Sequence, residues 1–303
     1  MELNIDIHSL KESINIELLA KQMVEGFVTG LHKSPYHGFS VEFAEHSLYN
    51  YGESTKNIDW KVYAKTDRLY TKKFEEETNL RCHLILDTSS SMYYPRDSFG
   101  KIRFALLASA SLSYLLHKQR DAVGLFTFSD HITYQSQVRS TASHVHHLLQ
   151  ELQRQFDKSP TKQHTATAQV LHEIADKIPR RSLVILFSDM LDDPEQSAET
   201  FSALQHLKHN KHEVLLFHVH DGKTELNFEF EDRPYKFEDL ESGQIVKLSP
   251  SQVKESYHQQ MSDHLSTLKL KCSQLKIDLI DCDIHQGFDT VLSSYLVKRS
   301  KMR

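Results

Sequence analysis

Asp87-Thr88-Ser89-Ser90-Ser91 lies directly after the apolar run at 82–86, and Ser188-Asp189 follows the apolar run at 183–187. In a turn leaving a strand, side chains at alternate positions can aim at a common point, so Asp87, Ser89 and Ser91 are expected to converge. If the two strands are neighbours, two carboxylates and two or three hydroxyls meet at one crevice. All are hard oxygen donors, with no imidazole or thiolate among them. That set suits Mg²⁺, Mn²⁺ or Ca²⁺ rather than Zn²⁺. Neutral hydroxyls beside few carboxylates leave such a cation under-neutralised and receptive to a carboxylate from outside.

The elements that must position these groups show as periodicity. Apolar runs at 82–86, 122–128, 183–187, 214–219 and 277–280 alternate with helical periods at 101–118, 142–156, 166–177, 196–209, 251–274 and 288–298. Strands alternating with helices of that length predict an α/β fold: βαβ units around a mostly parallel sheet, covered on both faces. In such a sheet ligands bind beyond the carboxyl ends of the strands, which is where Asp87 and Asp189 fall. The stretch 228–246, with Pro234 and Gly243, reads as a hairpin excursion. Upstream, Ile14, Leu18, Leu19, Met23, Phe27 and Leu31 have helical spacing across 10–31, and 35–75 is rich in aromatics with short strand and loop character. A region of 1–77 is too small and irregular to bury its own core, so it is expected to be an appendage on an α/β domain at 78–303.

Composition removes other chemistries. The 303 residues include 9 Gly, and none has the G-x-G or G-x-x-x-x-G-K spacing of a phosphate cradle, nor is there a G-x-S-x-G nucleophile elbow. Cys82, Cys272 and Cys282 are too few and too dispersed for a disulfide framework or a C-x-x-C site, which points to a reducing, cytoplasmic setting. No apolar run approaches the roughly 20 residues of a membrane span, and the first residues lack a leader pattern. A net charge of −5 gives no reason to expect nucleic-acid affinity, while 20 His make the charge pH-sensitive below about pH 6.5.

Competing readings are blander. Asp87, Ser89 and Ser91 could form a helix-capping Asx or Ser turn, and Asp192 or Asp193 could replace Asp189 in a shifted site. His218 and His220 share a strand face and His144, His146 and His147 cluster before a helix. No H-E-x-x-H occurs, and these histidines read as solvated or satisfied in the core. Basic residues interleaved with Trp60, Tyr63 and Tyr70 over 56–73 read as a solvated face rather than a nucleic-acid platform.

Asp87-Thr88-Ser89-Ser90-Ser91 resembles the D-x-S-x-S motif that opens the metal-ion-dependent adhesion site of von Willebrand factor A domains. There a Thr from a later loop and an Asp ending the fourth strand complete the site, and the matching positions are Thr165 and Asp189. Upstream, Gly38-Phe39-Ser40-Val41-Glu42-Phe43, Tyr49-Asn50-Tyr51-Gly52-Glu53 and Asn57-Ile58-Asp59-Trp60 look like the G-x-x-x-E-F, Y-x-x-G-D and R-x-I-D-W signature of the family catalogued as domain of unknown function 58. Departures are Glu53 where Asp is usual, Lys56-Asn57 near the usual Arg, and Ala166 where an acid often follows the loop Thr. The resemblance implies a von Willebrand A-like, Rossmann-like fold, with Mg²⁺ (or Mn²⁺ or Ca²⁺) held by Asp87, Ser89, Ser91, Thr165 and Asp189, partly through water. It also implies a protein partner offering an Asp or Glu, an adaptor role beside a MoxR-type AAA+ ATPase, and displacement of the final helix at 288–300 on binding. The alternative is a metal-dependent hydrolase or phosphotransferase on the same cation, which needs a positioned base and for which His164, beside Thr165, is the nearby candidate.

Overall fold

The computed structural model describes residues 15–32, 46–48, 60–72, 80–95, 100–158, 167–191, 194–240 and 243–301. Two compact units result, one from 1–28 with 80–303 and the other from 29–79. The motif segments at 38–43, 49–53 and 57–59 lie outside the described residues.

The larger unit is built on a six-stranded sheet. Its strands are β3 (Arg81–Asp87), β4 (Ala122–Phe128), β5 (Ile132–Gln135), β6 (Leu183–Ser188), β7 (Glu213–His220) and β10 (Asp278–Asp283). They lie in the order β10-β7-β6-β3-β4-β5, all parallel except β5, which pairs antiparallel with β4. The order reverses between β3 and β6. Burial of nearly every residue in β3, β4, β6 and β7 explains why these strands read as continuous apolar runs. β5 alternates half-buried and exposed residues over four positions, too weak a signal to have been expected.

Helices cover both faces. On one, Ile85, Phe126, Val184, Leu186, Val214 and Leu216 join a core with Val170, Leu171 and Ile174 of α5 (Thr167–Lys177), Leu204 and Leu207 of α6 (Pro194–His209), and Leu268 and Cys272 of α7 (Pro250–Gln274). On the other, α3 (Gly100–Lys118) packs on β3, β4 and β7 and against α4 (Ala142–Phe156) and α8 (Asp289–Lys301). There Phe104 stacks on Phe288 at 4.5 Å between ring centroids. The expected hairpin is β8 (Tyr235–Glu238) with β9 (Ile245–Leu248).

Helix α1 (Ile16–His32) straddles the division between the units. Its Ile16, Ala20 and Val24 are fully buried, the Ile16 amide donates to Gln153 of α4 at 2.9 Å, and Ser111 of α3 bonds the Met23 sulfur. Residues 16–28 therefore belong with the sheet, whereas the sequence reading placed them in the appendage. In the smaller unit, β1 (His46–Leu48) pairs antiparallel with β2 (Tyr70–Lys72), and α2 (Trp60–Thr66) sets Trp60 edge-on to Tyr63.

Candidate metal centre

The reversal between β3 and β6 puts Asp87 and Ser188 side by side at the carboxyl ends of adjacent strands. Asp87 Oδ1 accepts the Ser89 amide at 2.9 Å and its Oδ2 accepts the Ser188 hydroxyl at 2.8 Å. Thr88 turns the other way, its amide and hydroxyl both donating to the Phe128 carbonyl. Ser89 and Ser91 are thereby left on the Asp87 side, their hydroxyl oxygens 3.1 Å apart. The Ser188 hydroxyl on Asp87 joins the five-residue motif to the end of β6. Asp87, Ser89 and Asp189 are buried, while Ser91 is half-buried.

The turn after Asp189 is held in an unusual conformation. Met190 has φ +52, a left-handed value that a side chain disfavours. Its amide is fixed by the Ser188 hydroxyl at 3.0 Å, and the Leu191 amide returns to Asp189 Oδ1 at 3.3 Å. Ser188 thus restrains both Asp87 and the turn that aims Asp189.

An unexpected cation answers one of the two carboxylates. Lys101, 0% exposed in the first turn of α3, places its ammonium 2.8 Å from Asp189 Oδ2 and against Glu225 Oε1. Burial alone would push the lysine down, but the two carboxylates outweigh it and keep it charged. Burial likewise acts to raise Asp189, yet Lys101, with Ser91 and the Leu191 amide, holds it below the usual carboxylate range. Glu225 is raised, by burial first and by the Asp189 charge. Glu225 sits on a one-turn π helix, Gly222–Leu226, after β7, where its Oε2 accepts the Asp221 amide at 2.7 Å. Asp87 has no such cation among the described residues. Burial, then the neighbouring charge of Asp189, pushes its carboxyl up to about 7, against the Ser89 and Ser188 hydrogen bonds.

Four of the five expected ligands are therefore together: Asp87, Ser89, Ser91 and Asp189. Thr165 lies outside the described residues, as do His164, Asp192 and Asp193. Lys101 and Glu225 escaped the sequence reading. Lys101 opens a helical period and looks like any solvated first-turn lysine. Glu225 had a signal, because it follows the apolar run at 214–219, whose carboxyl end lies next to that of β6. The donor set fits a hard divalent ion: all-oxygen, with one buried carboxylate that lacks a countercharge among the described residues.

In the sequence order of this sheet's strands, the arrangement is 6-5-4-1-2-3 with the third antiparallel, and the oxygen cluster lies at the reversal. That strand order is a von Willebrand factor A-like fold. The chain belongs to the DUF58 family, a protein family of unknown function whose profile matches residues 45–267. Relatives include the uncharacterized proteins Rv1480 of Mycobacterium tuberculosis and Mb1516 of Mycobacterium bovis, each 23% identical over 208 residues, 69% of this chain and 64% of the relative. The chain thus matches less than two thirds of the length of these relatives. Similar solved structures include the conserved hypothetical protein BatB from Bacteroides thetaiotaomicron, with 15% identity over 73% of this chain and 99% of that one and a TM-score of 0.46. The SpRpn10 VWA domain shows 13% identity over 71% and 95% of the two chains, with a TM-score of 0.38.

Proposed function

We propose that this protein is a metal-dependent binding module that presents a hard divalent cation, Mg²⁺ or its Mn²⁺ or Ca²⁺ relatives, to a carboxylate of a protein partner. Asp87, Ser89, Ser91 and Asp189 would hold the ion, with Thr165 completing the set as the family resemblance implies. The carrying observation is the buried oxygen cluster in which, among the described residues, Asp87 has no cationic partner while Asp189 has Lys101. When bound, the ion would supply Lewis acidity and positive charge beside Ser91.

The chain's own residues divide the work. Ser188 orients Asp87, Lys101 keeps Asp189 ionised and in place, and Glu225 fixes Lys101 from the far side. Because Lys101 already offsets part of the negative charge, the ion is bound by few formal charges and retains demand for an outside Asp or Glu. An adaptor acting with a MoxR-type AAA+ ATPase in assembling or activating other proteins is the role this supports, through the family resemblance. Metal-dependent capture tests it. Partners retained from native lysate in Mg²⁺ should be released by EDTA and absent with Asp87→Ala; retention equal in all three conditions would overturn the reading.

A further inference from the structure

Two strands along the sheet from β3, a different donor set gathers. His218 and His220 are two apart on β7 and so share a face. On the parallel edge strand β10, Asp281 is in register with His218. Asp281 Oδ1 lies 2.8 Å from His220 Nε2 and 3.6 Å from His218 Nδ1, and one ligand atom of each residue lies within 4.8 Å of the other two. A tetrahedral ion with nitrogen and oxygen ligands at roughly 2.0–2.2 Å spaces those ligands about 3.4 Å apart, between the two measured separations.

From these distances we propose that His218, His220 and Asp281 form a second metal site, selective for a divalent transition-metal ion of the Zn²⁺ class. Two imidazoles and one carboxylate suit such an ion, whereas the all-oxygen crevice at Asp87 suits Mg²⁺. Both imidazoles are buried and strand-mounted, so they are held in place before an ion arrives. Asp281 is 69% exposed, and with His218 it lines a cleft of about 810 Å³ whose walls include Leu226, Leu265, Lys269 and Cys272. The cleft gives the ion an entry path and leaves a coordination position open on that side.

The test uses the full chain, stripped with chelator and dialysed, then titrated with Zn²⁺ by calorimetry and with Co²⁺ by visible absorption. Wild type and Asp87→Ala should each take up one Zn²⁺ at this site and give the intense ligand-field bands of four-coordinate Co²⁺. Asp281→Asn, an isosteric change at an exposed position, and His220→Ala should weaken Zn²⁺ at least tenfold and lose those bands. Circular dichroism would confirm that both remain folded. No Zn²⁺ uptake by wild type, unchanged uptake in Asp281→Asn, or loss of the bands in Asp87→Ala would each overturn the assignment.

Discussion

A carboxylate taken out of water needs an answering charge or enough donors, and the two crevice aspartates are served differently. Asp189 has an ammonium; Asp87 has an amide and a hydroxyl. Removing Lys101 would leave Asp189 and Glu225 buried without their cation. Lys101→Met is therefore expected to lose about 3–5 kcal/mol in urea unfolding, and Mg²⁺ should restore part of it because an ion at the crevice can answer the same carboxylate. A loss that Mg²⁺ leaves untouched would separate Asp189 from the metal site. His83 on β3 carries a different liability, since both its ring nitrogens are buried and have no hydrogen-bond partner among the described residues. Burial first, then the nearby His212 and Arg81, push its ionisation down to about 4. The unfolded chain, with an ordinary histidine near 6.5, binds the extra proton between those values. Stability contributed by neutral His83 is thus present above pH 6.5 and lost as pH falls towards 4, by about 3 kcal/mol. His83→Phe, which keeps a ring beside Phe126, should flatten that limb of the stability curve; parallel curves for the two proteins would contradict it. Neither Lys101 nor His83 was legible beforehand, because burial of a single polar residue depends on neighbours distant in the chain.

Elements were legible in proportion to how strictly their burial follows a period. The helix at 142–156 and the strand at 122–128 fall where the apolar spacing puts them, since each buries a regular stripe or a full run. The one-turn π helix Gly222–Leu226 has no such stripe, and its geometry comes from close approach rather than amphipathicity. A Cβ on Gly222 would run into the Asp283 carboxylate at the end of β10, whose Oδ1 accepts the Gly222 amide at 3.2 Å. Gly222→Ala is accordingly predicted to cost about 1–3 kcal/mol in thermal or urea unfolding. The same shift displaces Glu225 from Lys101, so the variant should also bind Mg²⁺ differently from wild type. An unchanged midpoint and unchanged Mg²⁺ response would show that the β7 turn has slack and does not brace the lysine.

At the scale of the molecule, an ordinary composition with 9 Gly and 3 Cys directed attention to Asp, Ser and Thr at strand ends. The sheet order then set Asp87 beside Ser188, which no local pattern specifies, because neighbouring of strands distant in the chain is decided by packing. That is why the D-x-S-x-S turn was readable as a candidate and its lysine–glutamate bracing was not. The division into units also follows packing: α1 looked like part of an appendage by position, but its first turns bury Ile16, Ala20 and Val24 with the sheet. What unites these scales is the proposal that the Asp87–Asp189 oxygen cluster takes a cation. Thermal unfolding in Mg²⁺ against EDTA tests that most directly, with Asp87→Ala as the comparison. A ligand at a hundredfold its Kd contributes about 2.7 kcal/mol, or roughly 5–10 °C in a domain of this size. Wild type should rise by that amount and Asp87→Ala by none; equal shifts in the two proteins, or no shift in wild type at millimolar Mg²⁺, would contradict the account.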